Sequence, residues 1–146
     1  MSVILLTPFD IARRFIGVKE IPGAPSHPFI AYCHSTCPGE SNSDEIPWCS
    51  SFVNGVAEIC GLPRSRSRLA RSWLTVGQEV KTIAEARIGS DIVVIERGEP
   101  WQGHVGFFAG YWETQGLVSL LAGNQGDAVS IANFPVSRIV GIRSLS

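Results

Sequence analysis

The sequence predicts an α+β domain, with N-terminal helices packed on a C-terminal antiparallel β-sheet. In the first half of the chain, apolar residues recur three or four apart, as on one face of a helix. In the second half they gather into short β-branched or aromatic runs separated by Gly, Pro, Asp and Asn. Helices first and strands afterwards is the order of a domain whose helices cover one side of an antiparallel sheet. The 146 residues carry no internal repeat, linker or low-complexity stretch. Residues 1–146 are therefore expected to form one domain, long enough to build a core without disulfide staples.

Taken in order, Phe9, Ile11, Ala12, Phe15 and Ile16 predict an amphipathic helix from Pro8 to about Val18, with Arg13 and Arg14 opposite. The stretch from Glu20 to Pro25 has turn chemistry. A short helix from Pro28 to about Ser35 would bury Phe29, Ile30 and Tyr32 or Cys33, and a polar loop from Pro38 to Ser43 follows. Phe52, Val53, Val56 and Ile59 form the stripe of the next helix, which Gly61 and Pro63 stop. Pro47 suits its start, placing Cys49 in the first turn. Leu69 to Leu74 predict another short helix ended near Gly77. Strands are expected over 92–95, 105–111, 117–122, 129–134 and 139–142.

Composition excludes several classes. Hydrophobic residues make up 45% and charged residues 17%, which is globular, and no apolar run approaches the ~20 residues of a membrane helix. A net charge of −1 and a pI near 6.3 argue against nucleic acid as a partner. The one basic cluster, Arg64, Arg66, Arg68 and Arg71, alternates with serines and reads as a solvated loop and helix face. Pro8 and Asp10 follow the apolar Val3 to Leu6 at once and no basic residue precedes it, so it does not read as a signal peptide. The expected location at synthesis is cytoplasmic, with the four cysteines reduced.

The chemistry centres on Cys49. In the first helical turn, unpaired N–H groups and the positive end of the helix dipole favour a thiolate, the form that attacks a carbonyl. A thiol also needs a base. Of three histidines, His104 stands between glycines at the start of a strand, a rigid mount open to close approach. His27 and His34 read as surface or packing residues. The imidazole in turn needs a partner on its other nitrogen. If the His104 strand and the Leu117 strand form a hairpin, the stretch 121–127 comes alongside His104. Asn124 is the first choice there, with Gln125 and Asp127 as competitors. His27, Cys33, His34 and Cys37 have the residue types of a zinc site, but not its usual spacing, and no metal or cofactor is expected. Trp48, Trp73 and Trp101 read first as core residues and second as cleft walls, Trp48 being the foremost candidate for a wall.

Pro47 to Ser50 (Pro-Trp-Cys-Ser), Gly103 to Gly106 (Gly-His-Val-Gly) and Gly123 to Gln125 (Gly-Asn-Gln) occur in that order. Together they resemble the CHAP and NlpC/P60 group of papain-like cysteine hydrolases, in particular a small phage-associated subfamily, from about Ala12 to Arg143. The stretch 88–94 resembles that group's Gly-Asp-Ile-Val-Val strand, with Ser90 inserted. The resemblance implies a papain-like fold with Cys49 as nucleophile, His104 as general base and then acid, and Asn124 as the polar third member. Asp44 and Glu45 match acidic positions that would line the cleft, beside Trp48 and Gln125, or hold the helix start. The implied activity is cysteine amidase or endopeptidase cleavage of an amide bond in peptidoglycan. A phage endolysin, made in the cytoplasm and acting in the periplasm or cell wall after release, is the expected biology. The alternatives are an antibacterial effector with an immunity protein, a catalytically dead binding module and a zinc hydrolase. A monomer without stable membrane insertion is expected.

Overall fold

A computed structural model describes residues 2–23, 26–39 and 47–146. Among these residues, three α-helices, α1 (Pro8–Ala12), α2 (Pro28–Ser35) and α3 (Cys49–Cys60), precede a sheet of six strands. The strands are β1 (Gln78–Glu79), β2 (Asp91–Glu96), β3 (Gly103–Trp112), β4 (Leu117–Gln125), β5 (Ala128–Pro135) and β6 (Ile139–Ser144). Every pairing is antiparallel, in the spatial order β1-β6-β2-β3-β4-β5. All five expected strands are present; β1, only two residues long, carries no periodic signal.

The first helix stops sooner than its apolar spacing predicts. Thr7 and Asp10 make a capping box that starts α1, which passes into a 3-10 turn over Arg13–Phe15. The chain then leaves helical geometry to pair with β5: Gly17 N donates to Val129 O at 3.0 Å and Val129 N to Val18 O at 2.8 Å. Gly17, at φ 99°, makes the turn that sets up this pairing. Ala70–Thr75, expected as a helix, is likewise a 3-10 turn.

Helix α3 is buried on more than its apolar stripe. Phe52, Val53 and Val56 face the core, whereas Ile59 is 48% exposed and ends the stripe one turn early. Ser50, Ser51 and Asn54 are also fully buried, because α2 and the loop 65–69 cover them. Asn54 Nδ2 donates to Ser50 O, Ser65 Oγ and Ser67 O, and its Oδ1 accepts from Arg66 N at 2.9 Å. The arginine-serine stretch is thus not simply a solvated face. Arg68 turns inward and donates Nη2 to the carbonyls of His34 (3.0 Å) and Cys37 (3.3 Å) at the end of α2.

Both faces of the sheet carry apolar clusters. Ile92, Val94, Val105, Phe107 and Leu121 pack with α3, while Val93, Ile95, Phe108, Val118 and Leu120 pack on the other side, as strand alternation dictates. A run of aromatic contacts, Phe15 with Phe29 (3.8 Å between centroids), Phe29 with Phe52 (6.1 Å) and Phe52 with Phe107 (6.2 Å), ties the helices to β3. Ser90 precedes β2, and pairing of β2 with β3 runs unbroken from Ile92↔Phe107 to Glu96↔Gly103. The insertion leaves the register ahead of His104 intact.

Candidate active site

Cys49 is the first residue of α3, and Trp48 before it supplies no side-chain cap. Phe52 N, at 2.8 Å from Trp48 O, makes the first intrahelical bond, so the earlier N–H groups are unused by the helix itself. The backbone N–H groups of Val105, Ser50 and Cys49 and the charge of Arg97 all favour the thiolate, yet burial outweighs them and pushes the Cys49 thiol above its ordinary range. The sulfur is thus held as a thiol next to groups that would welcome its charge.

The sheet opens at this point. The β3 residues 103–106 pair with β2 alone, since recorded pairing with β4 begins at Phe107↔Leu121. From this stretch the Val105 N–H reaches the Cys49 sulfur. Gly106 keeps the two strands close where they meet: an added Cβ there would stand 2.7 Å from the Ala122 Cβ.

His104, 4% exposed, lies by alternation on the face of Phe108 and Gly106, with its ring 5.5 Å from that of Phe134. Its Nε2 bonds Gln125 Oε1 at 2.9 Å. The side chain on the imidazole is thus Gln125, one of the competitors, rather than the first choice Asn124. The β4–β5 register shifts between Ala122 and Gln125, and Asn124 takes a left-handed φ of 60° within the bulge. That twist swings the next side chain, Gln125, onto the imidazole. Gln125 Nε2 is committed to Ser130 O (2.7 Å) and Leu120 O (3.3 Å), so Oε1 is the atom left for His104. An amide oxygen only accepts, which places the proton on His104 Nε2 and the lone pair on Nδ1. Burial, with smaller contributions from Arg97 and Arg138, lowers the imidazole to about 4 against the favourable bond from Gln125.

Cys49 and His104 line separate cavities. One, of about 330 Å³, includes Pro47, Cys49, Arg68, Leu69, Trp101 and Gly103; the other, of about 300 Å³, includes His104, Asn124, Gln125, Phe134 and Arg138. Arg97, at the end of β2, lines both. Among the described residues no hydrogen bond joins the sulfur to the imidazole. The resting pair is an uncharged thiol and an uncharged imidazole.

Other expectations fare differently. Trp48 is fully buried, with Nε1 donating to Glu20 at 3.1 Å and its ring against Gly123, so it braces the helix start from within and is no cleft wall. Trp73 is also fully buried, bonded to Ser50 Oγ at 2.9 Å. Trp101, 64% exposed, does border the Cys49 cavity. Asp44 and Glu45 lie outside the described residues. His27 caps α2 through a 3.1 Å bond from Phe29 N, and His34 Nδ1 bonds Ser51 Oγ at 2.8 Å. Among the described residues no group of three or more His, Cys, Asp or Glu is placed to hold a metal. Arg97 went unnoticed in the sequence, where a single arginine in a loop carries no pattern.

No family model matches the chain, and no curated protein matches it. Among solved structures, NlpC1 from Trichomonas vaginalis superposes with a TM-score of 0.61 at 16% identity, over 99% of this chain and 46% of that one. The fold is NlpC/P60-like. This chain spans about half the length of that protein. The NlpC/P60-like fold accounts for the expected α+β architecture, helices on one side of an antiparallel sheet, and it mounts Cys49 on a helix start beside β3.

Proposed function

We propose that the protein is a cysteine hydrolase that cleaves an amide bond in peptidoglycan. The observation that carries this reading is the Cys49 helix start set against β3 in an NlpC/P60-like fold, with His104 held by Gln125 in the tautomer of a base. The imidazole packs with Phe134, on the face of the sheet opposite α3, so the reaction in this proposal needs it to turn toward the sulfur when substrate binds. His104 Nδ1 then takes the thiol proton as the sulfur attacks the scissile carbonyl, forming a C–S bond and a tetrahedral oxyanion. The N–H groups at the start of α3 face this charge, and losing one such donor typically costs about 100 to 1000-fold in rate. The imidazolium returns its proton to the leaving amine as the C–N bond breaks. Water, deprotonated by the same imidazole, hydrolyses the thioester and restores the thiol.

The role within this proposal is that of a phage endolysin, on the three-motif resemblance. Mass spectrometry of purified Gram-negative peptidoglycan fragments, after digestion by the wild type and by Cys49→Ala, tests the reaction. Free stem peptides with intact sugars, from the wild type alone, identify an amidase; shortened peptides still on sugar identify an endopeptidase. Unchanged fragments with both proteins overturn the proposal.

A further inference from the structure

Far from Cys49, the end of β3 presents an exposed indole. The β3–β4 register shifts between Phe108 and Gly110, and the shift changes the alternation along β3: Phe107 faces α3 before it, Gly110 and Trp112 lie on that face after it, paired with Ser119 and Leu117. Trp112 is 52% exposed, and Ile131, Asn133 and Pro135, on the same face of the neighbouring β5, are exposed with it. The indole is nevertheless held in place. Its Nε1 donates to the buried Ser119 Oγ at 2.8 Å, and that hydroxyl donates to Asn133 Oδ1. The polar edge of the ring is thereby used up, which leaves its apolar faces to solvent. The Asn133 oxygen is used as well, whereas its Nδ2 donates to no described residue.

An oriented ring with a spare amide donor beside it suits one class of ligand. A sugar ring offers C–H faces to an aromatic ring and hydroxyl or acetamido oxygens to an N–H. Trp112, Ser119, Ile131, Asn133 and Pro135 carry no charge, so a phosphate, an acidic peptide or an anionic membrane finds no counter-charge among them. We propose that Trp112 and Asn133 form a binding site for an uncharged glycan of N-acetylated sugars, with the indole under a sugar ring and the Asn133 amide donating to its oxygens. The site is separate from the reaction centre, because Trp112 lies roughly 20 Å along β3 from Val105, whose N–H reaches Cys49. It goes beyond the proposed reaction; only peptidoglycan as the natural source of the glycan rests on that reading. A second contact on one polymer raises the effective concentration of scissile bonds at Cys49.

The test titrates the protein with chitotetraose, an uncharged, peptide-free tetramer of N-acetylglucosamine, and follows the indole N–H and side-chain amide signals by NMR. The Trp112 and Asn133 signals should move together and saturate, while those of the buried Trp48 and Trp73 stay still. Trp112→Ala should weaken binding by about 10-fold, followed at Asn133, and Trp112→Phe should recover part of the loss. Asn133→Asp, which keeps an oxygen for Ser119 and removes the donor, should weaken it by about 2 to 10-fold. An unchanged thermal midpoint confirms that these variants fold. Signals that do not move, movement of Trp101 alone, or affinity that survives Trp112→Ala overturns the proposal. So does a concentration-dependent dimer that Trp112→Ala dissolves, since the face would then belong to a second copy. The hydrolase reading fails separately: if chitotetraose binds through Trp112 while protein with Cys49 intact leaves peptidoglycan fragments uncut, the glycan site stands and the catalytic role falls. Cut fragments without binding at Trp112 do the reverse.

Discussion

Gln125 determines the protonation of His104 through its own amide. Its nitrogen is held by the Ser130 and Leu120 carbonyls, so its oxygen can do nothing but accept from the imidazole. Gln125→Ala should therefore lower kcat by about 10 to 100-fold and broaden its pH profile by freeing the tautomer. Asn124→Gly should retain most of that activity, since its left-handed φ of 60° suits glycine and no described hydrogen bond uses its side chain. Kinetics on peptidoglycan fragments with both variants check the assignment. The sequence could not separate these neighbouring amides: both have the right chemistry, and the choice is made by one bulge in β4. Cys49 and His104 were legible because glycines, a proline and a helical stripe surround them. A second consequence concerns acid. His104 titrates at about 4 when folded against 6.5 ordinarily, so the unfolded chain binds the extra proton between those values. Its contribution is fully present above pH 6.5 and is lost as the pH falls to about 4, at a cost of roughly 3 kcal/mol. Urea titrations from pH 4 to 7 should show that slope, and His104→Gln should flatten it.

At the scale of elements, α3 shows how far a hydrophobic pattern reaches. Phe52, Val53 and Val56 announced the helix, but Ser50, Ser51 and Asn54 are buried as completely, and only tertiary cover by α2 and the loop 65–69 explains that. Asn54 is the fastener of that loop, whose continuation, Arg68 and Leu69, walls the Cys49 cavity. Asn54→Ala should destabilise the fold by about 1 to 3 kcal/mol, measured by urea denaturation, and raise KM more than it lowers kcat. The early end of α1 was equally invisible, because it depends on Gly17 and Val18 pairing with Val129, a contact over a hundred residues away in the chain. Gly123 records another close approach: an added Cβ would meet the Trp48 ring at 2.5 Å. Gly123→Ala should push that ring against the start of α3, costing about 1 to 3 kcal/mol and more activity than its stability loss predicts. Thermal midpoints beside kcat at a temperature where both proteins are folded separate the two effects.

For the whole molecule, the order of helices and strands carried the architecture, and the NlpC/P60-like superposition agrees with it. The two cavities, with Arg97 lining both, are assembled from residues far apart in the chain, and no residue-level signal announces them. On the hydrolase reading, substrate has to span both cavities for the sulfur and imidazole to act on one bond. Until it does, Cys49 is a thiol rather than an ion. Peroxide oxidises the thiolate far faster than the thiol. A protein built this way should therefore outlast oxidising surroundings unloaded, and mass spectrometry after peroxide exposure should find little sulfenic acid at Cys49.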